Sequence, residues 1–391
     1  MAITMSISGL AAASAADASF AAFDQKARAG GELNVVFFGG SLTWGSQATD
    51  PTHDSYRAKI AERLRKHYRA AYFDFWDAAI GGTGSQLGAF RLERDVLARQ
   101  PDLVFYEYTV NDGCYSEPDP QRMASYEAGI RRLVQRGVPV VVMIFPVKPD
   151  VEPNNTRVRP LDPLHKQIAA EYNLPVGDAV ALAQQRVAAG QETPDTLWDV
   201  PGQGTHCGSR GYALYAEAGW AALLAAIDAK TVAKLPASML YADTYMTVNR
   251  ARLLDLPGLP AGWTRHLADR TGFCFDFTPS RWLDEVAAAT NADGEHQPPA
   301  LKFKVRGQNI ILYGESTVKS GKYQVVIDGG APKTYDAGNK VGSWRYVEYL
   351  AEGLAADQEH TVEIIPQLEK GQELHFESLC VAGAPATVGL E

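Results

Sequence analysis

The chain has only 4 cysteines in 391 residues. Cys114, Cys207, Cys274 and Cys380 form no C-x-x-C pair, which sets aside zinc-ribbon and thioredoxin-type chemistry. Two readings remain for them: disulfides in an exported protein, or small buried apolar side chains. The sequence also lacks any stretch of the roughly 20 apolar residues that a membrane helix requires. No Lys/Arg-rich run interrupts a net charge of -9, and without a basic face no nucleic-acid partner is expected. The P-loop Gly-Lys-Ser/Thr and the metalloprotease His-Glu-x-x-His are absent. The segment 82–88 imitates a dinucleotide loop but carries Leu87 where the third glycine belongs, and Thr43 replaces the last glycine of a G-x-S-x-G elbow.

What is present describes a globular chain, 46% hydrophobic and 21% charged, and long enough that two domains are the natural expectation. The run Val35-Val36-Phe37-Phe38-Gly39-Gly40-Ser41-Leu42 reads as a buried parallel strand that breaks at two glycines. A serine there stands at the carboxyl end of a strand, where open α/β sheets bind ligands. Ser41 is a candidate nucleophile, and its bland alternative is a turn serine.

Between 31 and 230 short apolar runs alternate with longer amphipathic ones, the pattern of a parallel sheet covered by helices. Strands are predicted at 33–38, 72–80, 103–110, 138–145 and 174–176. Helices are predicted at 55–68, 86–98, 122–136, 161–172 and 211–229. Five strands fit a flavodoxin-like three-layer αβα order. After Lys230 period-two runs take over at 301–305, 309–313, 323–327 and 360–365, with turn signals such as Asp328-Gly329-Gly330 between them. Residues 231–391 are therefore read as an all-β sandwich, and the boundary near 231–236 has no flexible linker, so the domains are expected to pack together. Residues 1–30 are set apart as an N-terminal extension. Its Ala-rich start lacks a positive segment, which leaves a truncated export signal and a plain disordered terminus as equal readings.

Serine chemistry needs a base for the hydroxyl proton and donors for the oxyanion. The second strand ends in Gly81-Gly82-Thr83-Gly84, where Gly82 can present a backbone N–H. The third ends at Asn111-Asp112, and the Asn111 amide is a neutral, fixed donor. His206, ahead of the last helix, is the candidate base. Asp112 is read as a structural partner of its turn and Cys207 as passive. Trp44 either stacks on a sugar ring or caps the core.

With Gly39-Gly40-Ser41-Leu42, Gly82, Asn111-Asp112 and His206 in this order, residues 31–230 resemble the SGNH, or GDSL-like, hydrolases. The resemblance implies Ser41 as nucleophile and His206 as base. It also implies an oxyanion hole of the Ser41 and Gly82 amides with the Asn111 side chain, and ester hydrolysis without metal or organic cofactor. The chain departs from the family pattern in one place: Gln203 stands where an aspartate three residues before the histidine is usual, and Asp199 lies four residues upstream. Either Asp199 folds back to orient His206, or a backbone carbonyl does, or the site is impaired; activity is the expectation, because nucleophile, donors and base remain.

Glycine-rich loops and the accessory sandwich point to a carbohydrate ester, with removal of a small acyl group such as acetyl from a sugar as the expected reaction. The alternatives are a short-chain lipid esterase or thioesterase, and a carbohydrate-binding pseudoenzyme. Trp263, Trp282 and Trp344 form either a sugar platform or sandwich core, core being expected for most of them. Export to the periplasm or cell exterior is favoured.

Overall fold

The computed structural model describes residues 17–268, 283, 285–340 and 342–391; Cys274 and Trp282 lie outside them. The first part of the chain runs α1 (Phe20–Arg28), β1 (Glu32–Gly39), α2 (Ser41–Trp44), α3 (Pro51–Asp54), α4 (Tyr56–His67), β2 (Tyr72–Ala79), α5 (Ser85–Asp95), β3 (Leu103–Tyr106) and α6 (Pro120–Gln135). It continues with β4 (Val140–Ile144), α7 (Leu161–Glu171), β5 (Val176–Asp178), α8 (Ala179–Ala188), α9 (Pro194–Leu197) and α10 (Ser209–Asp228). The five strands are parallel, in the order β2-β1-β3-β4-β5.

Central strands of such a sheet are covered on both faces, which is why β1 reads as an unbroken apolar run. Val35 and Phe37 pack with Phe105, Val141 and Met143 under α1, α4 and α10. Val36 and Phe38 pack on the other side with Val104, Tyr106 and Val142, under residues of α5, α6 and α7. The strand order reverses between β1 and β3, so their carboxyl ends open a crevice at the point where this fold class binds ligands.

The folded layer begins upstream of Gly31. Helix α1, placed on sequence in an N-terminal extension, buries Phe20, Phe23 and Ala27 in the first core. Strand β3 is shorter than the predicted 103–110; the chain leaves the sheet after Tyr106 to form the turn that carries Asn111. Among the described residues no helix is long and apolar enough to cross a membrane. Cys114, Cys207 and Cys380 are buried and unbridged, the small-hydrophobe reading.

The second part is all β: β6 (Val248–Arg252), β7 (Thr264–Leu267), β8 (Glu285–Thr290), β9 (Leu301–Arg306), β10 (Asn309–Ser316), β11 (Lys322–Ile327), β12 (Lys333–Asp336), β13 (Trp344–Ala351), β14 (His360–Gln367), β15 (Glu373–Ala382) and β16 (Thr387–Leu390). One sheet runs β13-β10-β15-β8-β7 with β6 also on β15, and the other β12-β11-β14-β9-β16. They face each other across Phe303, Leu312, Tyr323, Ile364 and Phe376. Trp263 belongs to this core, stacked on Phe376 with Nε1–H donating to Pro299 O at 2.8 Å.

The outer face of the first sheet is not open to solvent. Ile311, Tyr313, Cys380 and Ala382 pack on Ile80, Leu87, Phe90 and Ala124 of the α/β part. The connecting chain is bonded down along its way: Arg131 donates to Pro236 O at 2.9 Å, and the Glu127 carboxylate accepts the Leu240 and Tyr241 amides at 2.9 and 2.8 Å.

Candidate active site

Ser41 is the first residue of α2, separated from β1 by Gly40 alone, and its Oγ lies 2.8 Å from His206 Nε2. His206 is delivered by the loop before α10. That loop is closed at its ends by a bond from Gly208 N–H to Leu197 O at 2.9 Å. Helix α10 is in turn tied to the chain after Ser41: Tyr212 Oη–H donates to Ser46 O at 2.6 Å, and the Thr49 amide donates to Ser209 Oγ at 2.9 Å. Burial holds the His206 imidazole below its ordinary pKa of 6.5. The ring is thus neutral at physiological pH, the form that accepts the Ser41 proton.

Asn111 stands against the glycine pair. A Cβ added at Gly40 would lie 2.0 Å from Asn111 Oδ1, so only glycine allows the carboxamide to close on the nucleophile turn. Gly82, at the end of β2, is exposed and has φ +69°, a conformation that disfavours any side chain. Asp112 Oδ1 accepts the Ser85 amide at 2.8 Å, joining the Asn111 turn to the Gly82 loop, in agreement with its structural reading. Cys207 is fully buried, with its thiol pushed far up by that burial, as befits a passive neighbour.

Glu107, which the sequence reading passed over, is fully buried below these turns and accepts from Thr43 Oγ1 at 3.2 Å. Burial pushes its carboxyl up to about 7, against the pull of the Gly40 amide and the Thr43 hydroxyl. An acidic residue inside the otherwise apolar run 103–110 was the available signal. Arg91 of α5 is also fully buried. It donates to Gly39 O at 3.1 Å and Ala78 O at 2.6 Å, and pairs with Asp95 at 3.0 Å. It thereby fixes the ends of the two strands that carry Ser41 and Gly82.

The Asp199 carboxylate packs on the chain just past the histidine, where a Cβ at Gly208 would stand 1.7 Å from its Oδ1. Gln203 is half-buried in the same loop. Trp44 ends α2, half-buried, with its carbonyl accepting from Arg57 Nη2 at 3.0 Å. A cavity of about 430 Å³ is lined by Val110, Tyr115, Val147, Pro149, Arg157 and Thr205, of which Val110 and Thr205 directly precede Asn111 and His206 in sequence. Neither this cavity nor a larger one of about 580 Å³ between α4 and β2 is lined by any of the four predicted residues; the smaller is the candidate substrate cleft because Val110 and Thr205, the residues just before Asn111 and His206, form part of its wall.

Residues 37–214 match the GDSL-like Lipase/Acylhydrolase family. No curated protein matches the chain. Among solved structures, the chain is similar to a two-domain esterase (CEX) active on acetylated mannans and co-crystallised with mannopentaose. The two share 24% identity with a TM-score of 0.74, over 93% of this chain and 94% of that one. A second structure of that esterase gives a TM-score of 0.71 at 24% identity, over 93% and 95%. The Axe2 acetylxylan esterase of Geobacillus stearothermophilus aligns over 49% of this chain and 94% of its own, with 22% identity and a TM-score of 0.40.

Proposed function

From the match of residues 37–214 to the GDSL-like Lipase/Acylhydrolase family, we propose that the chain is a carboxylic ester hydrolase that removes acetyl or other small acyl groups from carbohydrate. Ser41 Oγ attacks the ester carbonyl carbon while its proton passes to His206 Nε2. The negative charge on the carbonyl oxygen is met by the Ser41 and Gly82 amides and by Asn111 Nδ2. Collapse breaks the bond to the sugar oxygen, which leaves with the proton from His206. Water then attacks the acyl-enzyme, gives a proton to the same nitrogen, and frees the acid as Ser41 regains its hydrogen. Asp199 supports the imidazolium from the loop that carries His206.

The observation that carries this reading is the 2.8 Å contact between Ser41 Oγ and His206 Nε2 at the carboxyl edge of the sheet. The carbohydrate substrate is supported by the two-domain fold held in common with an esterase active on acetylated mannans. Such a polymer would be met outside the cytoplasm, in keeping with export. The test is hydrolysis of 4-nitrophenyl acetate, butyrate and octanoate by the wild type and Ser41→Ala, followed by acetate release from acetylated mannan and xylan. The expected result is a rate that falls with acyl length and is lost in Ser41→Ala. A preference for octanoate would replace the reading with a lipid esterase.

A further inference from the structure

The Gly82 loop has a neighbour from the other domain. Arg345, the second residue of β13, is only 7% exposed. Its Nη2 lies 3.2 Å from the place that a Gly82 Cβ would take. Gly82 itself is exposed, so the guanidinium adjoins the loop without sealing it.

The contact is held from both sides. On the β domain, Arg345 faces Glu315 across the β13–β10 pairing. Glu315 is fully buried, takes the Ser343 hydroxyl, and bonds to His375 Nδ1 at 2.9 Å. On the α/β domain, Ile80 and Leu87, on either side of Gly82 in sequence, pack in one cluster with Ile311 and Tyr313 of β10. Gln86 Nε2 donates to Tyr245 Oη at 3.0 Å, and Asn309 Nδ2 to Gln121 Oε1 at 2.7 Å. The Gly82 loop and the strand pair carrying Arg345 are therefore one packed unit.

A guanidinium is planar and always charged, and away from water its field is weakly screened. A cation beside an amide that donates to a growing oxyanion favours the charged transition state over the neutral ester. We propose that Arg345 is a positioning residue of the ester-hydrolysing site. It steadies the Gly82 loop and stabilises the negative charge forming beside it, so the β domain completes the catalytic unit instead of merely accompanying it. The inference rests on Gly82 being an oxyanion donor in the reaction proposed above.

The test compares full-length wild type, Arg345→Met, Arg345→Lys and Ser41→Ala on 4-nitrophenyl acetate, with kcat and KM separated and thermal unfolding followed in parallel. Arg345→Met is expected to lower kcat about 10- to 100-fold with KM within about twofold. That is less than the ~10²–10³ lost with a direct oxyanion donor, because the effect is relayed. Arg345→Lys is expected to recover part of kcat by restoring the charge without the planar fork. Unchanged kcat in Arg345→Met, with turnover still dependent on Ser41, overturns this inference alone. Equal losses in the Met and Lys variants together with a lowered unfolding temperature make Arg345 a packing residue and overturn it too. Turnover that survives Ser41→Ala overturns the esterase assignment and this inference with it.

Discussion

In the proposed reaction the Ser41 proton has a short path, 2.8 Å to His206 Nε2, and the imidazole at its end is half-buried. Burial disfavours the imidazolium, so the folded pKa lies below 6.5. The base is thus neutral down to mildly acidic pH, and the acidic limb of kcat/KM is expected to have its midpoint below 6.5. A carboxylate that supports His206 favours the imidazolium. Asp199→Asn is therefore expected to lower kcat/KM by about 10²- to 10⁴-fold and to move that limb further down, whereas Gln203→Asp leaves both nearly unchanged. A pH–rate series on the three proteins decides it, and an unaffected Asp199→Asn would reduce that carboxylate to a partner of the α10 terminus. The proposed site residues Ser41, Gly82, Asn111 and His206 could be singled out in the sequence because each lies in a turn or loop that follows a strand or precedes a helix, marked by neighbouring glycines or by an apolar run. The position of Arg345 beside Gly82 could not be, since it arises only when a distant strand folds back.

At the level of elements, α5 does more than cover the sheet. Its Arg91 reaches beneath the ends of β1 and β2 and neutralises Asp95, with both side chains almost wholly out of water. Removing one partner of such a pair leaves an uncompensated buried charge and idle carbonyls. Arg91→Met is therefore expected to cost about 3–5 kcal/mol in chemical denaturation, and to depress activity before the chain unfolds. A loss near zero would mean that Asp95 simply takes up a proton. The strands of the parallel sheet were readable because two-sided burial writes continuous apolar runs. Those at 301–305 and 360–365 were readable because one side faces solvent, as in β9, where Lys302 and Lys304 alternate with Leu301, Phe303 and Val305. Strand β15 carries Glu, His and Ser among its apolar residues, yet all but its first residue are buried. It is covered on one face by the other sheet and on the other by the α/β domain, so no alternation marks it.

Across the whole molecule, the composition change near 231–236 marks where the fold changes class without marking a joint. The chain that follows is bonded to Glu127 and Arg131, and an apolar cluster drawn from both halves closes the gap. Stabilities that share an interface of this kind are lost together. Calorimetry is expected to give one cooperative transition with matching calorimetric and van't Hoff enthalpies; two resolved transitions would show that each half stands alone.

The clasp between Gly208 and Leu197 has a bearing on how such chains are recognised and altered. It fixes where the loop that contains Asp199 and His206 starts and stops, and the loop is held once more inside that span, where the Lys148 amide donates to Gly204 O at 2.7 Å. Doubling a flexible loop costs only about 0.6 kcal/mol in closure. A side chain added at Gly202, at the tip of this loop, would meet open space. If Asp199 serves His206 as proposed, a search rule that insists on an aspartate three residues before the histidine would reject this chain, and the arch at Gly202 is the place where an insertion tests how far the loop tolerates change.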